Sequence, residues 1–161
     1  MITIFCVETG SGYGGSAQCL YELLAALNRK QFRPMVVAYG AGSAIEKIRR
    51  KGIPVRIFHG PTVRRFSSPF HLLFHWLRYE LPRALKMVAL IVRERVDVVH
   101  LNSSLYGTVA GLWAARLTHR PCVCHIRSIR APTRFERLFG SWVDRLIVPT
   151  YYALDFYRPF W

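Results

Sequence analysis

The chain has 161 residues, and its 23 basic and 9 acidic residues give it a net charge of +14. Hydrophobic residues make up 52% of the sequence and charged residues 20%, which excludes a disordered chain and fits a single globular domain. No apolar run approaches the roughly 18–20 residues of a membrane-spanning helix, and no signal peptide is visible. We therefore expect a cytoplasmic protein whose basic excess favours an anionic partner: phosphate, nucleic acid or an acidic membrane face.

The first half of the chain alternates short apolar runs with helical patterns. The run at 2–7 indicates a strand buried on both faces, and it ends at the glycine-rich loop 10–15. Further along, helices are predicted over 16–28 and 43–51, and strands over 34–39 and 54–58. Ser43 is a candidate N-cap with Glu46 three residues later, and Gly52 is a candidate stop. This β-α-β-α-β order is the unit of a parallel, doubly wound sheet.

The alternation breaks after residue 59 and resumes at Asp97. Strands are predicted over 97–101, 121–125 and 144–149, with helices over 105–117, 135–142 and 151–157. We predict one domain, residues 1–161, of the α/β class. Its core is a Rossmann-like, doubly wound parallel sheet of about six strands, and a basic and aromatic insert occupies 61–95.

The four cysteines form no spaced framework that would indicate disulfides. They are Cys6, Cys19, Cys122 and Cys124. We predict reduced, buried thiols, as is usual in a cytosolic protein.

The glycine loop has two interpretations. Gly10, Gly12 and Gly15 satisfy G-x-G-x-x-G between a strand and a helix, a geometry that lets backbone N–H groups approach a phosphate. The same glycines can serve only to pack the helix closely on the sheet. A dinucleotide enzyme would also need an acid at the end of the second strand, and residues 38–41 (AYGA) contain none. An NAD-type Rossmann enzyme therefore stays a minor alternative.

Five segments, in order, resemble one family. They are residues 14–20 (GGSAQCL), 23–27 (LLAAL), 96–102 (VDVVHLN), 121–125 (PCVCH) and 144–150 (DRLIVPT). Together they are similar to the N-terminal half of family 4 type glycosyltransferases, which have the two-domain GT-B architecture. The third and fourth segments correspond to the strands D-V-V-H-x-H/N and P-x-V-x-x-H of that family.

The resemblance implies an acceptor-side domain. A separate C-terminal domain would hold the nucleotide-sugar donor through an acidic pair, and the acceptor would be a glycan or a lipid-linked molecule. No such domain is found within the 161 residues, so we expect no turnover from this chain by itself. The apolar end Pro159–Trp161 suggests partner surface beyond it. Neither a metal nor another cofactor is expected. The alternative is a non-catalytic module that binds phosphate or an anionic membrane.

The candidate site lies at the carboxyl ends of the strands, where ligands gather in open α/β sheets. His125 is the candidate catalytic residue, because by resemblance it ends the strand that approaches the reacting sugar. Arg127 and Arg130 are candidates for bidentate phosphate binding, unless they belong to an ordinary solvated loop. The candidate substrate-binding set is Gly12, Gly14, Gly15, Asn102, Ser103, Ser104, Arg127, Arg130 and Thr150.

A zinc site is the weaker interpretation of one cluster. His119, Cys122, Cys124 and His125 are close in sequence, but successive strand residues point to opposite faces, so His125 cannot share a face with the two cysteines. The spacing also matches no familiar zinc finger. We therefore predict no metal.

The insert at 61–95 mixes basic residues with large apolar ones, which suits the headgroup region of an anionic bilayer. A helix pair that covers the sheet is the equally good alternative. The membrane-contact candidates are Arg64, Arg65, Phe70, Phe74, Trp76 and Arg78. Nucleic acid is not an expected partner, because no RRM, KH or helix-turn-helix pattern is present. The expected location is the cytoplasm, with the inner face of the plasma membrane as a candidate surface.

Overall fold

A computed structural model describes residues 1–10, 14–60, 69–127 and 129–160. Its strands are β1 (Ile2–Glu8), β2 (Phe32–Ala38), β3 (Val55–Ile57), β4 (Val98–Leu101), β5 (Cys122–His125) and β6 (Arg145–Ile147). Its α-helices are α1 (Gly15–Ala26), α2 (Ser43–Arg50), α3 (Pro69–His75), α4 (Leu81–Arg93), α5 (Val109–Leu117), α6 (Arg134–Phe139) and α7 (Tyr151–Tyr157). A π-helical turn, Trp76–Glu80, joins α3 to α4, and 3-10 turns follow α6 and α7.

The strands form one sheet in the order β3-β2-β1-β4-β5-β6, and all neighbours are parallel. The chain builds one half outward from β1, crosses over through α3 and α4, and builds the other half from β4. The predicted α/β class and Rossmann-like six-stranded sheet are therefore confirmed. The order reverses between β1 and β4, and ligands bind at such a switch point in open α/β sheets.

Two apolar clusters lie on opposite faces of the sheet. Over β1 to β3, α1 and α2 cover one face through Leu20, Leu24, Ile45 and Ile48. On the other face, α4, α5 and α7 pack on the sheet through residues that include Met87, Ile91, Leu112 and Tyr157. The face of β4 to β6 on the α1 side is the least covered, and Ile147 there is 41% exposed.

Two aspartates hold the opposite, amino edge of the sheet. The carboxylate of Asp97, just before β4, accepts a hydrogen bond from the Thr3 backbone N–H at 2.7 Å. Asp144, before β6, accepts one from the Cys122 backbone N–H at 2.7 Å. Each aspartate thus caps the start of the neighbouring strand, far from the carboxyl edge.

Local predictions differ from the structure at several places. Gly42, not Ser43, is the N-cap of α2, and no side chain caps that helix. Gly52 does end it, because it adopts a φ of 73° that glycine tolerates.

Three of the four cysteines are buried as predicted. Cys6, Cys122 and Cys124 are buried, and burial raises the pKa of each thiol, to about 12 for Cys6 and Cys122. Cys19 lies exposed on α1, so the prediction of four buried thiols was wrong.

None of the helices in the described ranges combines the length and the apolar character needed to cross a bilayer.

Candidate functional site

A buried polar network connects three strand ends at the switch point. Asn102, directly after β4, is fully buried, and its amide nitrogen donates hydrogen bonds to the carboxylate of Glu8 and to the Ser16 carbonyl, the latter at 3.0 Å. Its side-chain oxygen accepts a bond from the Arg127 guanidinium at 2.6 Å. The side-chain amide of Asn102 is therefore hydrogen-bonded to two charged groups. One is the Glu8 carboxylate at the end of β1, and the other is the Arg127 guanidinium, which follows β5.

Glu8 organises the start of the glycine loop. Its carboxylate is fully buried and accepts hydrogen bonds from the Gly10 backbone N–H at 2.7 Å and from the Ser16 hydroxyl at 3.1 Å. A Cβ on Gly10 would lie 2.8 Å from that carboxylate, so this position requires glycine. Gly10 thus donates its backbone N–H to the protein's own Glu8 carboxylate and packs against that group.

The next glycines leave open space at the start of α1. Gly14 is the N-cap, no side chain caps the helix, and no acid lies in its first turn. A Cβ built at Gly14 or Gly15 would meet nothing within 4 Å. The backbone N–H groups there are accessible to a ligand, and a helix N-terminus favours an anion. Gly12, also a candidate, lies outside the described residues.

Arg127 is connected to this helix start through Asn102. Asn102 contacts both the Arg127 guanidinium and the Ser16 carbonyl, so it links Arg127 to the first turn of α1. The Nε of Arg127 is buried and has no hydrogen-bond partner among the described residues. Burial lowers the pKa of Arg127, while the nearby Cys19 and Glu8 side chains oppose that effect. A guanidinium has a pKa far enough above neutrality to stay charged there.

Two histidine rings lie side by side on the sheet face next to α1. The ring centroids of His100 and His125 are 5.8 Å apart. Burial lowers the pKa of both to about 4, helped by the Arg127 charge, so both rings are neutral at pH 7. His100 Nε2 and His125 Nδ1 have no hydrogen-bond partner within the described part of the chain. His125 is half-buried, and its neighbour His100 borders an apolar cavity of roughly 180 Å³ against α1.

Other predicted site residues have structural partners. Arg130 donates to both oxygens of the buried Glu136, at 2.6 and 2.8 Å, so its guanidinium has a partner within the protein, and phosphate binding by Arg130 stays a prediction. Burial raises the pKa of Glu136, but the bonds from Arg130 and Thr133 outweigh it, and the net pKa is lowered. The same carboxylate completes a capping box with Thr133 at the start of α6.

Three hydroxyl candidates also belong to the frame around the site. The Thr150 hydroxyl caps α7 by accepting a hydrogen bond from the Ala153 backbone N–H at 3.1 Å, and its role in substrate binding stays a prediction. The Ser104 hydroxyl accepts the Gly107 backbone N–H at 3.2 Å and so shapes the turn before α5. The Ser103 carbonyl accepts a bond from the Cys124 thiol at 3.4 Å. Asn102, His125 and Arg127 are the predicted side chains that the structure brings together.

Sequence reasoning missed Glu8 and His100. Glu8 is the last residue of β1, and an acid directly before a glycine loop was the available signal. His100 pairs in register with Val123, so it lies one step from His125 on the same face. Among the described residues, no three His, Cys, Asp or Glu side chains are grouped to hold a metal ion.

The membrane-contact candidates divide into two groups. Phe70, Phe74 and Arg78 are exposed, as predicted for surface residues. Trp76 is half-buried, because its ring packs edge-on against Trp113 and Phe135 at 5.5 and 5.3 Å, so it is less available for membrane contact than Phe70 and Phe74. Arg64 and Arg65 lie outside the described residues.

The fold and the strand-end network define a Rossmann-like domain of the glycosyltransferase type. The family model Glycosyltransferase Family 4 matches residues 13–160, and the chain belongs to this family. The NAD-type alternative is thereby set aside, in agreement with the absence of an acid at the end of β2. A comparison with curated proteins finds no match.

Several solved structures share the fold. MurG of Acinetobacter baumannii has 17% identity and a TM-score of 0.67, over 92% of this chain and 41% of that one. Anabaena HepE, solved with UDP and glucose, has 19% identity and a TM-score of 0.70, over 99% and 41%. A UDP-N-acetylglucosamine 2-epimerase has 14% identity and a TM-score of 0.62, over 96% and 43%. The chain thus spans about two fifths of the length of these proteins.

Proposed function

We propose that this chain is the acceptor-side domain of a glycosyltransferase that moves a sugar from a nucleotide-sugar donor to a glycan or lipid-linked acceptor. The observation that carries the proposal is that Asn102 and Arg127 are hydrogen-bonded beside the open start of α1, and that Arg127 is close enough to His125 to lower its pKa. The donor nucleotide would be held by a separate donor-side domain, and neither a metal nor another cofactor is required by this arrangement.

His125 would act as a neutral hydrogen-bonding group. Its lowered pKa of about 4 leaves almost no imidazolium at pH 7, so it does not serve as a cationic acid. A neutral ring with a free Nδ1 can orient a sugar hydroxyl or support developing charge at the reacting centre. This chemistry suits sugar transfer, in which the reactive centre carries charge only transiently.

Arg127 and the α1 start together suit a phosphate. Glu8 occupies the sheet side of the loop, so an anion would approach from the outer side, where a Cβ at Gly14 or Gly15 would meet no atom. The Arg127 guanidinium, oriented by Asn102, supplies the neutralising charge. Either the donor diphosphate or the phosphate of a lipid-linked acceptor has this chemistry.

The test begins with the native coding region beyond Trp161. If it encodes a second α/β domain with an acidic pair, the complete protein is assayed for transfer from UDP-, GDP- and dTDP-sugars to lipid and glycan extracts. Transfer by the complete protein supports the proposal. A stop codon directly after Trp161, with no transfer by the chain, favours the non-catalytic phosphate- or membrane-binding module.

His125→Ala tests the site in the active protein. We expect kcat to fall about 100-fold, the scale of a lost transition-state hydrogen bond in a desolvated site. His119→Ala is the matched control, because that histidine is exposed at the far end of α5. Turnover of His125→Ala within about twofold of the wild type would remove this residue from the site.

A further inference from the structure

The segment 69–93, which comprises α3, the π-helical turn and α4, has two apolar faces. One face packs into the core through Ala84, Met87 and Ile91. The other is exposed to solvent and is called here the apolar row. It consists of Phe70, Leu73, Phe74, Leu77, Leu81, Leu85 and Val92, which are 37% to 72% exposed. A helix that serves only to cover the sheet needs one such face.

The exposed apolar side chains are concentrated on this segment. Seven of the 17 exposed large hydrophobic residues among those described belong to it. Single exposed hydrophobic residues are ordinary, but a contiguous row indicates an interaction surface. From Phe70 to Leu85 the row covers about 22 Å at a rise of about 1.5 Å per residue.

A row of basic side chains runs along the apolar row. His71, Arg78, Lys86 and Arg93 are exposed, and each directly follows a member of the apolar row, so they occupy one side of it. Arg93 is paired with Glu94 at 2.8 Å, which leaves Arg78 and Lys86 as the unneutralised cations. Between residues 69 and 93 the only acid is Glu80, which is buried and bound to Arg83 at 2.5 Å. The exposed side of the segment is therefore apolar and cationic only.

The segment is firmly attached to the body of the domain near the candidate site. Trp76 packs against Trp113 and Phe135, and Phe135 in turn contacts Tyr106, which follows the carboxyl end of β4. The Arg83 guanidinium lies over the Tyr39 ring at 4.2 Å, beside the end of β2. A ligand that covers the apolar row would thus lie next to the edge where the site residues meet.

We propose that the apolar row, with Arg78 and Lys86, docks on the surface of an anionic phospholipid bilayer. Phe and Leu side chains enter the headgroup and acyl boundary, and the adjacent cations meet lipid phosphates. A second copy of the chain fits less well, since it would bring the same cations together in a chain that carries +14. The proposal does not depend on glycosyl transfer, because docking is measured without donor or acceptor.

Vesicle co-sedimentation of the 161-residue chain tests it. Phosphatidylcholine vesicles containing phosphatidylglycerol should bind at least about tenfold more tightly than phosphatidylcholine alone, and salt should weaken the binding. Arg78→Gln combined with Lys86→Gln should weaken binding to the anionic vesicles about thirtyfold, at about 1 kcal/mol for each basic residue. Arg29→Gln with Arg120→Gln has the same net charge at exposed positions elsewhere, and should bind nearly as the wild type does.

The apolar row has its own pair of variants. Phe74→Ser with Leu77→Ser should weaken binding to both kinds of vesicle, whereas Leu117→Ser with Leu138→Ser, also exposed, should not. These are surface positions, and thermal unfolding checks that each variant stays folded. Equal binding to neutral and anionic vesicles, or equal losses in the control pairs, would overturn the proposal. So would a dimer that Phe74→Ser with Leu77→Ser abolishes in a chain that binds no vesicles.

Discussion

His100 and His125 show how a sheet face sets the protonation of its side chains. His100 is 5% exposed, and its burial, followed by the neighbouring His125 and the Arg127 charge, lowers its pKa, so every contribution favours the neutral ring. An uncharged histidine pair is compatible with a hydrogen-bonding role at neutral pH. It also makes the fold sensitive to acid.

The stability should therefore fall between pH 6.5 and 4.5. The unfolded chain binds a proton at His100 near pH 6.5, while the folded chain does so only near pH 4, so the unfolded state takes up more protons in this window. For His100 alone the loss is about 2 kcal/mol. Denaturant unfolding as a function of pH measures it, and His100→Leu should show a shallower decline. The exposed His119→Asn is the control, and an unchanged decline in His100→Leu would contradict the expectation.

The strand motifs contain residues of two kinds that a sequence cannot separate. Asp97 and Asn102 lie five residues apart in one motif, yet Asp97 caps a neighbouring strand at the amino edge and Asn102 forms the network at the carboxyl edge. Asp97 thus holds a neighbouring strand at one end of β4, and Asn102 belongs to the polar network at the other. His125, Asn102 and Arg127 could be predicted from their strand-end positions. The commitment of Arg130 to Glu136 could not, because Glu136 reaches it only through the capped start of α6.

At the scale of elements, the close approach of α5 to the sheet depends on one small residue. A Cβ at Gly111 would lie 2.7 Å from Leu101 Cδ2 and 3.0 Å from Val7 Cγ2, and both side chains are fully buried. The position of α5 in turn fixes the loop that follows Asn102. In the sequence, Gly111 is only one position within the predicted helix at 105–117.

Gly111→Ala should destabilise the domain although alanine favours a helix. Overpacking typically costs about 1–3 kcal/mol, against a gain in helix propensity of about 1 kcal/mol. The free energy of unfolding in urea gives the net change. Gly15→Ala is the control, because a Cβ there meets nothing within 4 Å, and it should shift stability by less than about 0.5 kcal/mol. An unchanged or raised stability of Gly111→Ala would show that α5 can move away from the sheet.

At the scale of the whole molecule, the charge is strongly unbalanced. A net charge of +14 on 161 residues produces self-repulsion that favours the unfolded chain. The described ion pairs neutralise few of the basic residues, and most of these pairs are partly exposed. The surplus cations are thus available to an anionic partner.

Added salt should therefore raise the thermal stability. We expect Tm to rise between 10 and 200 mM NaCl, where the screening length falls from about 30 Å to below about 10 Å. KCl at the same ionic strength should act alike, since screening does not depend on the cation. A larger rise with phosphate at equal ionic strength would indicate a specific anion site, for which Arg127→Gln is the test. A Tm that falls as salt is added would mean that attraction between opposite charges in the folded chain outweighs repulsion between like charges.

The sequence by itself determined the class, the number of strands and their succession along the chain, and the family. Apolar runs of strand length alternate with helical periods, and these local patterns need no knowledge of contacts. Only the tertiary structure decided which polar residues meet. Glu8 and Asn102 are 94 residues apart along the chain, and Asn102 and Arg127 are 25 residues apart. The order of the strands in the sheet brings these three residues together. It likewise decided that Trp76 turns inward while Phe70 and Phe74 stay exposed, because burial is a property of packing between distant segments.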